Sequence, residues 1–331
     1  MRVLAGDIGG TNARLAIVDA GADGMRIVRE RRYGTPGEPG LAPIVRRFLG
    51  DGAGSGGAPP ERACFGIAGP VVDGECHTPN LPWKVSARAL ATDLGIPRTL
   101  LINDFRAAGY GLPHLGPADL VTLQAGTADP HGTIALIGAG TGLGQGFLVW
   151  DGRRHQVQSS EGGHATFAAR DELEWGLRHA LLDEFGQVSY ERVLSGSGLA
   201  RVYRFLAGSG FAPERPEVRV EMEREDPAAV VTRHALAGDD PLSVRALDLF
   251  VSVLGSQAGN LALTVLATGG VYVAGGIAPR IVARLRDGAF VAAFRGKGRL
   301  ADLLARIPVH VVMSPDVGLL GAAAAAALAD P

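Results

Sequence analysis

The stretch LAGDIGGTNARLAIV, residues 4–18, runs apolar into Gly6-Asp7, crosses Ile8, Gly9, Gly10 and the pair Thr11-Asn12, and then resumes an apolar pattern. Two short apolar runs separated by glycines predict strand, tight turn, strand. Asp7 stands at the end of the first run, and the N–H groups of Gly9, Gly10 and Thr11 follow in a turn that can face phosphate oxygens. A carboxylate beside phosphates repels them unless a divalent cation lies between, so Asp7 reads as a direct or water-mediated partner of Mg²⁺. An ordinary hairpin, in which Asp and Gly supply unusual backbone angles, accounts for the same residues.

A second stretch, LIGAGTGLGQGFLV at 136–149, repeats the pattern of strand, glycine-rich turn with Thr141, and strand. The echo suggests two related α/β domains facing each other, although glycine-rich hairpins are common and the pattern alone leaves duplication open. GxxxxGK[ST] occurs nowhere, so a phosphate binder here is not a P-loop NTPase. A formal GxGxxG from Gly52 to Gly57 has no strand before it and Pro59-Pro60 after it, so it lacks the context of a dinucleotide site.

With 331 residues the chain suggests about two domains with a cleft between them as the default functional site. The 32 basic and 34 acidic groups nearly cancel, which points to neither nucleic acid nor an anionic membrane as partner. Cys64 and Cys76 are too few for a disulfide framework and lack zinc spacing, and the sequence MRVLAGDIGG has no long apolar signal core. A reducing cytoplasm is the expected home, with no membrane span.

Strands are predicted at 2–6, 13–18, 63–68, 99–103, 133–138, 145–150, 271–275 and 308–313. Helices are predicted at 41–49, 86–94, 171–183, 242–266, 279–286 and 317–329. Their alternation argues for α/β layers. The charged, proline-bearing segment 212–227 reads as an exposed connection between helical stretches around 190–207 and 228–237.

Asn103-Asp104 follows an apolar strand and precedes a helix, a place where α/β sheets carry ligand groups. Asp104 reads either as a cap of that helix or as a base needing a hydroxyl within reach, with Asn103 helping to fix the hydroxyl. SSEGGH carries Glu161 and His164 on one loop, and YERVLSGSG carries Glu191 beside another. Together with Asn103 and Asp104 they suit gripping several sugar hydroxyls, whereas Glu161 and His164 are too few to hold a metal, and a lone histidine is as readily a buried structural group. Gly275-Gly276 in VAGGIAP permits either close approach to a flat ring or tight helix-to-strand packing.

In this order the motifs resemble the bacterial glucokinase family of the hexokinase, actin and Hsp70 superfamily. The resemblance rests on GDIGGTNARLAI at 6–17, FGIAGPV at 65–71, INDFRAAGYG at 102–111, IGAGTGLG at 137–144 and EGGH at 161–164. It continues through ERVLSGSGL at 191–199, GNLAL at 259–263, VAGGIAPR at 273–280 and PDVGLLGA at 315–322. The chain departs from the family where Pro79 separates Thr78 from Asn80, and it lacks the cysteine-rich zinc motif of the related ROK branch.

The resemblance implies an α/β fold of two RNase H-like, actin-like ATPase domains flanking a deep cleft. The small domain would take residues 1–112 plus 314–331, and the large one 113–313. It implies phosphorylation of glucose by Mg²⁺-ATP in the cytoplasm by a homodimer. Gly6, Asp7, Ile8, Gly9, Gly10, Thr11, Asn12, Gly140 and Thr141 would hold the ATP phosphates, with Asp7 meeting the metal, and Gly275 and Gly276 would lie by the adenosine. Asn103, Asp104, Glu161, His164 and Glu191 would bind glucose, with Asp104 as the base.

Overall fold

The computed structural model describes residues 1–21, 24–51, 58–78 and 81–328, so the GxGxxG run at 52–57 and the Pro79-Asn80 departure lie outside the described residues. The chain divides into two compact units. One comprises Met1–Ala118, Gln156–Ser159 and Ser314–Pro331; the other comprises Asp119–His155 and Ser160–Met313.

The first unit contains strands β1 (Arg2–Ile8), β2 (Asn12–Gly21) and β3 (Gly24–Gly34), then helix α1 (Leu41–Gly50) and strands β4 (Arg62–Ile67), β5 (Glu75–His77) and β6 (Lys84–Ser86). Helix α2 (Ala87–Leu94), strand β7 (Arg98–Asn103) and helix α3 (Asp104–Gly111) follow, and the chain's last helix, Val317–Ala327, also belongs here. Its main sheet has the order β3-β2-β1-β4-β7, with β2 antiparallel to both neighbours and β1, β4 and β7 parallel. The central strands are buried along nearly their whole length, Val3–Ala5 and Ala63–Phe65 included, as strands covered on both faces require. Helix α1 covers the sheet with Leu41, Ile44, Val45 and Phe48, the i, i+3, i+4, i+7 stripe of an amphipathic helix.

The other unit runs β8 (Leu120–Gln124), β9 (Ile134–Ala139), β10 (Leu143–Trp150) and β11 (His155–Ser160), then α4 (Glu172–Phe185), α5 (Tyr190–Val193) and α6 (Gly196–Gly208). It continues with α7 (Pro216–Arg224), α8 (Pro227–Ala237), α9 (Pro241–Val265) and β12 (Gly270–Ala274). The elements α10 (Val282–Arg286), α11 (Ala289–Arg295), α12 (Ala301–Arg306) and β13 (Val309–Val312) complete it, and the last helix of the chain is therefore α13. The sheet order is β11-β10-β9-β12-β13-β8. Counted from β9, this is the 3-2-1-4-5 order of the first sheet with β8 added antiparallel at one edge. The first hairpin is antiparallel in both sheets, and strands 1, 4 and 5 are parallel in both. The two glycine-rich hairpins of the sequence are thus strands 1 and 2 of two sheets with one topology.

Helix α9 begins with the Asp240 carboxylate accepting the Ser243 N–H at 2.8 Å and Pro241 in its first turn. Among the described residues it is the helix whose length and composition would suit a membrane, and most of it is buried in the core of its unit.

Three sequence expectations need correction. Segment 212–227 is not merely a connection: α7 forms within it, with Val218 buried, Met222 packed one turn later, and Glu221 bonded to Arg233 (2.6 Å) and His234 (3.0 Å) of α8. The helix expected at 279–286 begins as a 3₁₀ turn over Ala278–Ile281 before α10. Strands β3, β8 and β11 and the short β5 and β6 were not expected; in β3 the inward positions include Arg29 and Tyr33, which lie against Phe48 through a cation–π contact at 4.3 Å and an edge-on ring contact.

Helices α3 and α13 cross closely. A side chain at Gly321 or Gly111 would run into the backbone of Ala107 or Val317, so glycine at both positions sets the approach. The contact holds α3, the helix that Asp104 begins, through Ala107 and Gly111, and α13 through Val317 and Gly321, next to Gly318, which meets Asp7.

Candidate active site

In the first unit, Asp7 is the last residue but one of β1 and pairs in register with Arg14 of β2. The turn between the strands is closed by Gly9 N–H donating to Asn12 O at 2.9 Å. It is backed by buried Thr35, whose hydroxyl donates to Gly10 O at 2.8 Å and whose N–H donates to Thr11 O at 3.1 Å. Gly318 stands against the Asp7 carboxyl, and a Cβ there would be 3.5 Å from it. Burial pushes Asp7 above the usual carboxylate range, against the opposing pull of Arg14 and Arg32.

Asn103 caps α3: its Oδ1 accepts the N–H groups of Phe105 (2.9 Å) and Arg106 (3.1 Å), while its Nδ2 donates to Gly69 O at 3.0 Å. Of the two readings for Asp104, the capping one therefore belongs to its neighbour. Asp104 Oδ1 accepts the Phe105 N–H at 2.8 Å, and its carboxyl also bonds the Asn103 side chain and its own N–H. Burial pushes its carboxyl up to about 6, and the negative charge of Asp7 acts in the same direction, against the Phe105 N–H. Two carboxyls thus stand near one another, and for each the cost of burial outweighs the hydrogen bonds or arginine charges that favour ionisation. Cys76, a free and buried thiol like Cys64, is close enough to Asp104 to feel its charge.

In the second unit, Glu161 precedes a 3₁₀ turn over Gly162–His164, and Glu191 is the second residue of α5. The His164 ring lies between them, with Nε2 4.0 Å from Glu161 Oε2 and Nδ1 4.0 Å from Glu191 Oε1. Glu161 and His164 are exposed, whereas Glu191 is half-buried and accepts the Leu143 N–H at 3.0 Å. Glu191 is thereby tied to the end of the Gly140–Gly142 turn. His164 is not the buried structural histidine that the sequence also allowed.

That turn is closed by Gly140 N–H donating to Gly142 O at 2.8 Å, and Gly196 N–H donates to Gly140 O at 2.9 Å. Gly275 has φ +83° and its α-carbon faces Ala139 O, so a side chain there meets both strain and backbone. Its structural need is packing, whereas Gly276 has open space beside it. A cavity of about 580 Å³ opens there, lined by Gly140, Thr141, Ser197, Thr232, Gly276 and Arg280 among others. Sequence reasoning placed Gly140, Thr141 and Gly276 at such a site but missed Ser197, Thr232 and Arg280. Ser197 lies in ERVLSGSGL and Arg280 ends VAGGIAPR, whereas Thr232 carries no local signal.

Among the described residues no cluster of three or more His, Cys, Asp or Glu side chains is arranged to hold a metal. A cation at Asp7 would have to bring most of its ligands with it.

Repeated sheets, glycine turns at the ends of their first strands, and carboxyls at strand ends give the mixed α/β fold found in glucokinases and ROK-family proteins among its structural neighbours. A glucokinase from an Antarctic psychrotroph superposes with a TM-score of 0.85 at 34% identity over 98% of both chains. A ROK-family glucokinase from Streptomyces griseus, solved with glucose and AMPPNP, shares the fold with a TM-score of 0.66 at 23% identity, over 98% of this chain and 99% of that one. Glucokinase from Nostoc sp. is 45% identical over 98% of each chain, and the family model described as Glucokinase matches residues 4–329. The chain belongs to the glucokinase family.

Proposed function

We propose that this chain transfers the γ-phosphoryl group of Mg²⁺-ATP to the 6-hydroxyl of glucose, giving glucose 6-phosphate and ADP. Family membership over nearly the whole chain supports the activity. The observation that carries the chemistry is Asp104, a largely buried carboxyl poised at about 6 at the end of β7. A base with that value is ionised at neutral pH yet still basic enough to take a hydroxyl proton as the oxygen attacks phosphorus. Asn103, locked by its cap and by Gly69, would orient the same hydroxyl.

Glu161, His164 and Glu191 supply acceptors and a donor for the remaining sugar hydroxyls. The turn amides of Gly10, Thr11 and Thr141 would receive the phosphates, since those of Gly9 and Gly140 already donate to Asn12 O and Gly142 O and Gly6–Ile8 lie within the paired strand β1, and the 580 Å³ cavity beside Gly276 would take the adenosine. Asp7 fits a cation that arrives with ATP: its carboxyl accepts no side-chain bond from Arg14, which is held by Glu30 at 2.7 Å and Asp316 at 2.5 Å. Bound there, Mg²⁺ would neutralise phosphate charge.

The repeated 3-2-1-4-5 sheet supports two RNase H-like, actin-like domains around a cleft; the first boundary lies at 118/119 where 112/113 was expected, and Gln156–Ser159 joins the first unit, while the boundary at 313/314 is as expected. Two free thiols are in keeping with a cytoplasmic enzyme, and family membership is the basis for a homodimer. Coupled detection of ADP with glucose, mannose, fructose and N-acetylglucosamine, and with alternative phosphoryl donors, tests the assignment. Glucose with ATP should give the highest kcat/KM; preference for another hexose would reassign the substrate.

A further inference from the structure

The GNLAL run at 259–263 lies in α9, and none of the roles above uses it. Its Asn260 is the centre of a polar cluster. The Lys297 ammonium donates to Asn260 Oδ1 at 2.6 Å and to Ser256 Oγ at 3.0 Å. A lysine has no acceptor, so this bond fixes which end of the amide is oxygen. The amide nitrogen then faces the other way and donates to Tyr190 Oη at 3.0 Å and to Gln257 Oε1 at 3.0 Å. Gly259 makes room for the arrangement: a Cβ there would lie 2.9 Å from Lys297 Cε.

Tyr190 immediately precedes Glu191 and is the first residue of α5. Its N–H donates to Ala165 O at 3.0 Å, just past His164, and its buried ring meets Phe167 edge-on at 5.6 Å. Phe167 N–H in turn donates to Val188 O at 2.9 Å. One tyrosine therefore ties together the loop carrying Glu161 and His164 and the turn carrying Glu191, and its hydroxyl is the only polar tether in this group that reaches α9 among the described bonds.

We infer that Tyr190 and Asn260, with Lys297 orienting the amide, are positioning residues for glucose: they hold Glu191 and the 161–164 loop at the spacing the sugar needs. The inference rests on the reading of Glu191 as a sugar ligand. Neither residue belongs to the ATP cavity, so their loss should fall on the sugar alone.

The test uses the full-length enzyme with Tyr190→Phe, Asn260→Ala, the double variant and Glu191→Gln. KM values for glucose and ATP are measured alongside thermal melting and calorimetric glucose binding. Tyr190→Phe keeps the ring and removes the hydroxyl's bonds to Asn260 and to the Ala168 backbone, so KM and Kd for glucose should rise about fivefold, with kcat and the KM for ATP within about twofold. Asn260→Ala should raise KM and Kd for glucose in the same direction, and the double variant should fall short of the product of the two single effects, because both lose the Tyr190–Asn260 bond. If Glu191→Gln weakens glucose while Tyr190→Phe and Asn260→Ala do not, the inference is overturned and the role of Glu191 stands. A parallel rise in both KM values with a lowered melting point would reduce the cluster to fold maintenance and overturn it equally. Unchanged glucose affinity in Glu191→Gln would remove the reading on which it rests.

Discussion

The two glycine-rich hairpins occupy the same place in two sheets of the same order, yet they are built for different work. Each turn has three residues, Gly9-Gly10-Thr11 in one and Gly140-Thr141-Gly142 in the other, closed by one short backbone bond. Two residues before the turn, the first hairpin has Asp7 and the second has Gly138. The fifth strand of the first sheet ends in Asn103 and leads into Asp104, so that unit gathers two carboxyls whose charges are felt by one another. In the other unit the turn carries no carboxylate of its own and instead borders a 580 Å³ cavity, its one acidic tie being Glu191. Two sheets of one topology thus end their first hairpins beside paired carboxyls in one unit and beside a cavity in the other. On the proposed reading the division suits phosphoryl transfer, because a base and a cation partner would need to be dry and close, whereas a nucleotide needs room.

The sharpest way to break the comparison is to neutralise the charged copy. Asp104→Asn should lower kcat by about 10²- to 10⁴-fold in the ADP assay, while calorimetry finds glucose affinity within a few-fold of the parent. Near-parental turnover would take the base away from the first unit. Asp7→Asn should cost about 10²-fold in kcat/KM for ATP and leave glucose binding alone; an effect confined to glucose would misplace the cation.

Changes in the roomy copy should be smaller and of another kind. Gly275→Ala forces a side chain into φ +83° against Ala139 O, a strain of roughly 1–3 kcal/mol, and should lower the melting temperature by several degrees. Gly276→Ala has open space and an ordinary φ, so it should melt like the parent and show only a raised KM for ATP. Identical behaviour of the two variants would contradict the division between a packing glycine and a ligand-facing one.

The smallest effect concerns stability. Asp104 is raised from 3.8 in the unfolded chain to about 6, so the unfolded state gives up its proton first, and this carboxyl's contribution is present below pH 4 and lost as pH rises toward 6. Asp104→Asn should therefore melt a few degrees above the parent at pH 7.5 and level with it near pH 3.5.

Much of this was legible in the sequence because strand ends announce themselves. Apolar runs stopping at DIGGT, NDF and GAGTG mark where backbone turns away and side chains become available, and β1, β2, β4, β7, β9, β10, β12 and β13 all lie where those runs predict strands. What could not be read depends on contacts between distant segments. Strand β3 is hidden because arginine stems do the covering that apolar residues usually do. Helix α7 buries little beyond Val218 and relies on charges from α8. Thr35, which backs the first turn, and Thr232, which lines the cavity, look like any surface threonine until the fold brings them in. Asp104 and Asn103 share one helix start, and only the geometry shows which of them caps it.

The most direct measurement of the central claim is the pH dependence of kcat/KM for glucose in the parent enzyme and in Asp104→Asn, with ATP and Mg²⁺ saturating at every pH. A base at about 6 must lose its proton to act, so the parent's activity should fall about tenfold per pH unit below pH 6, and the residual activity of the variant should lack that limb. A parent profile flat from pH 8 to 5, or an acid limb that survives in Asp104→Asn, would contradict the assignment of Asp104 as the base.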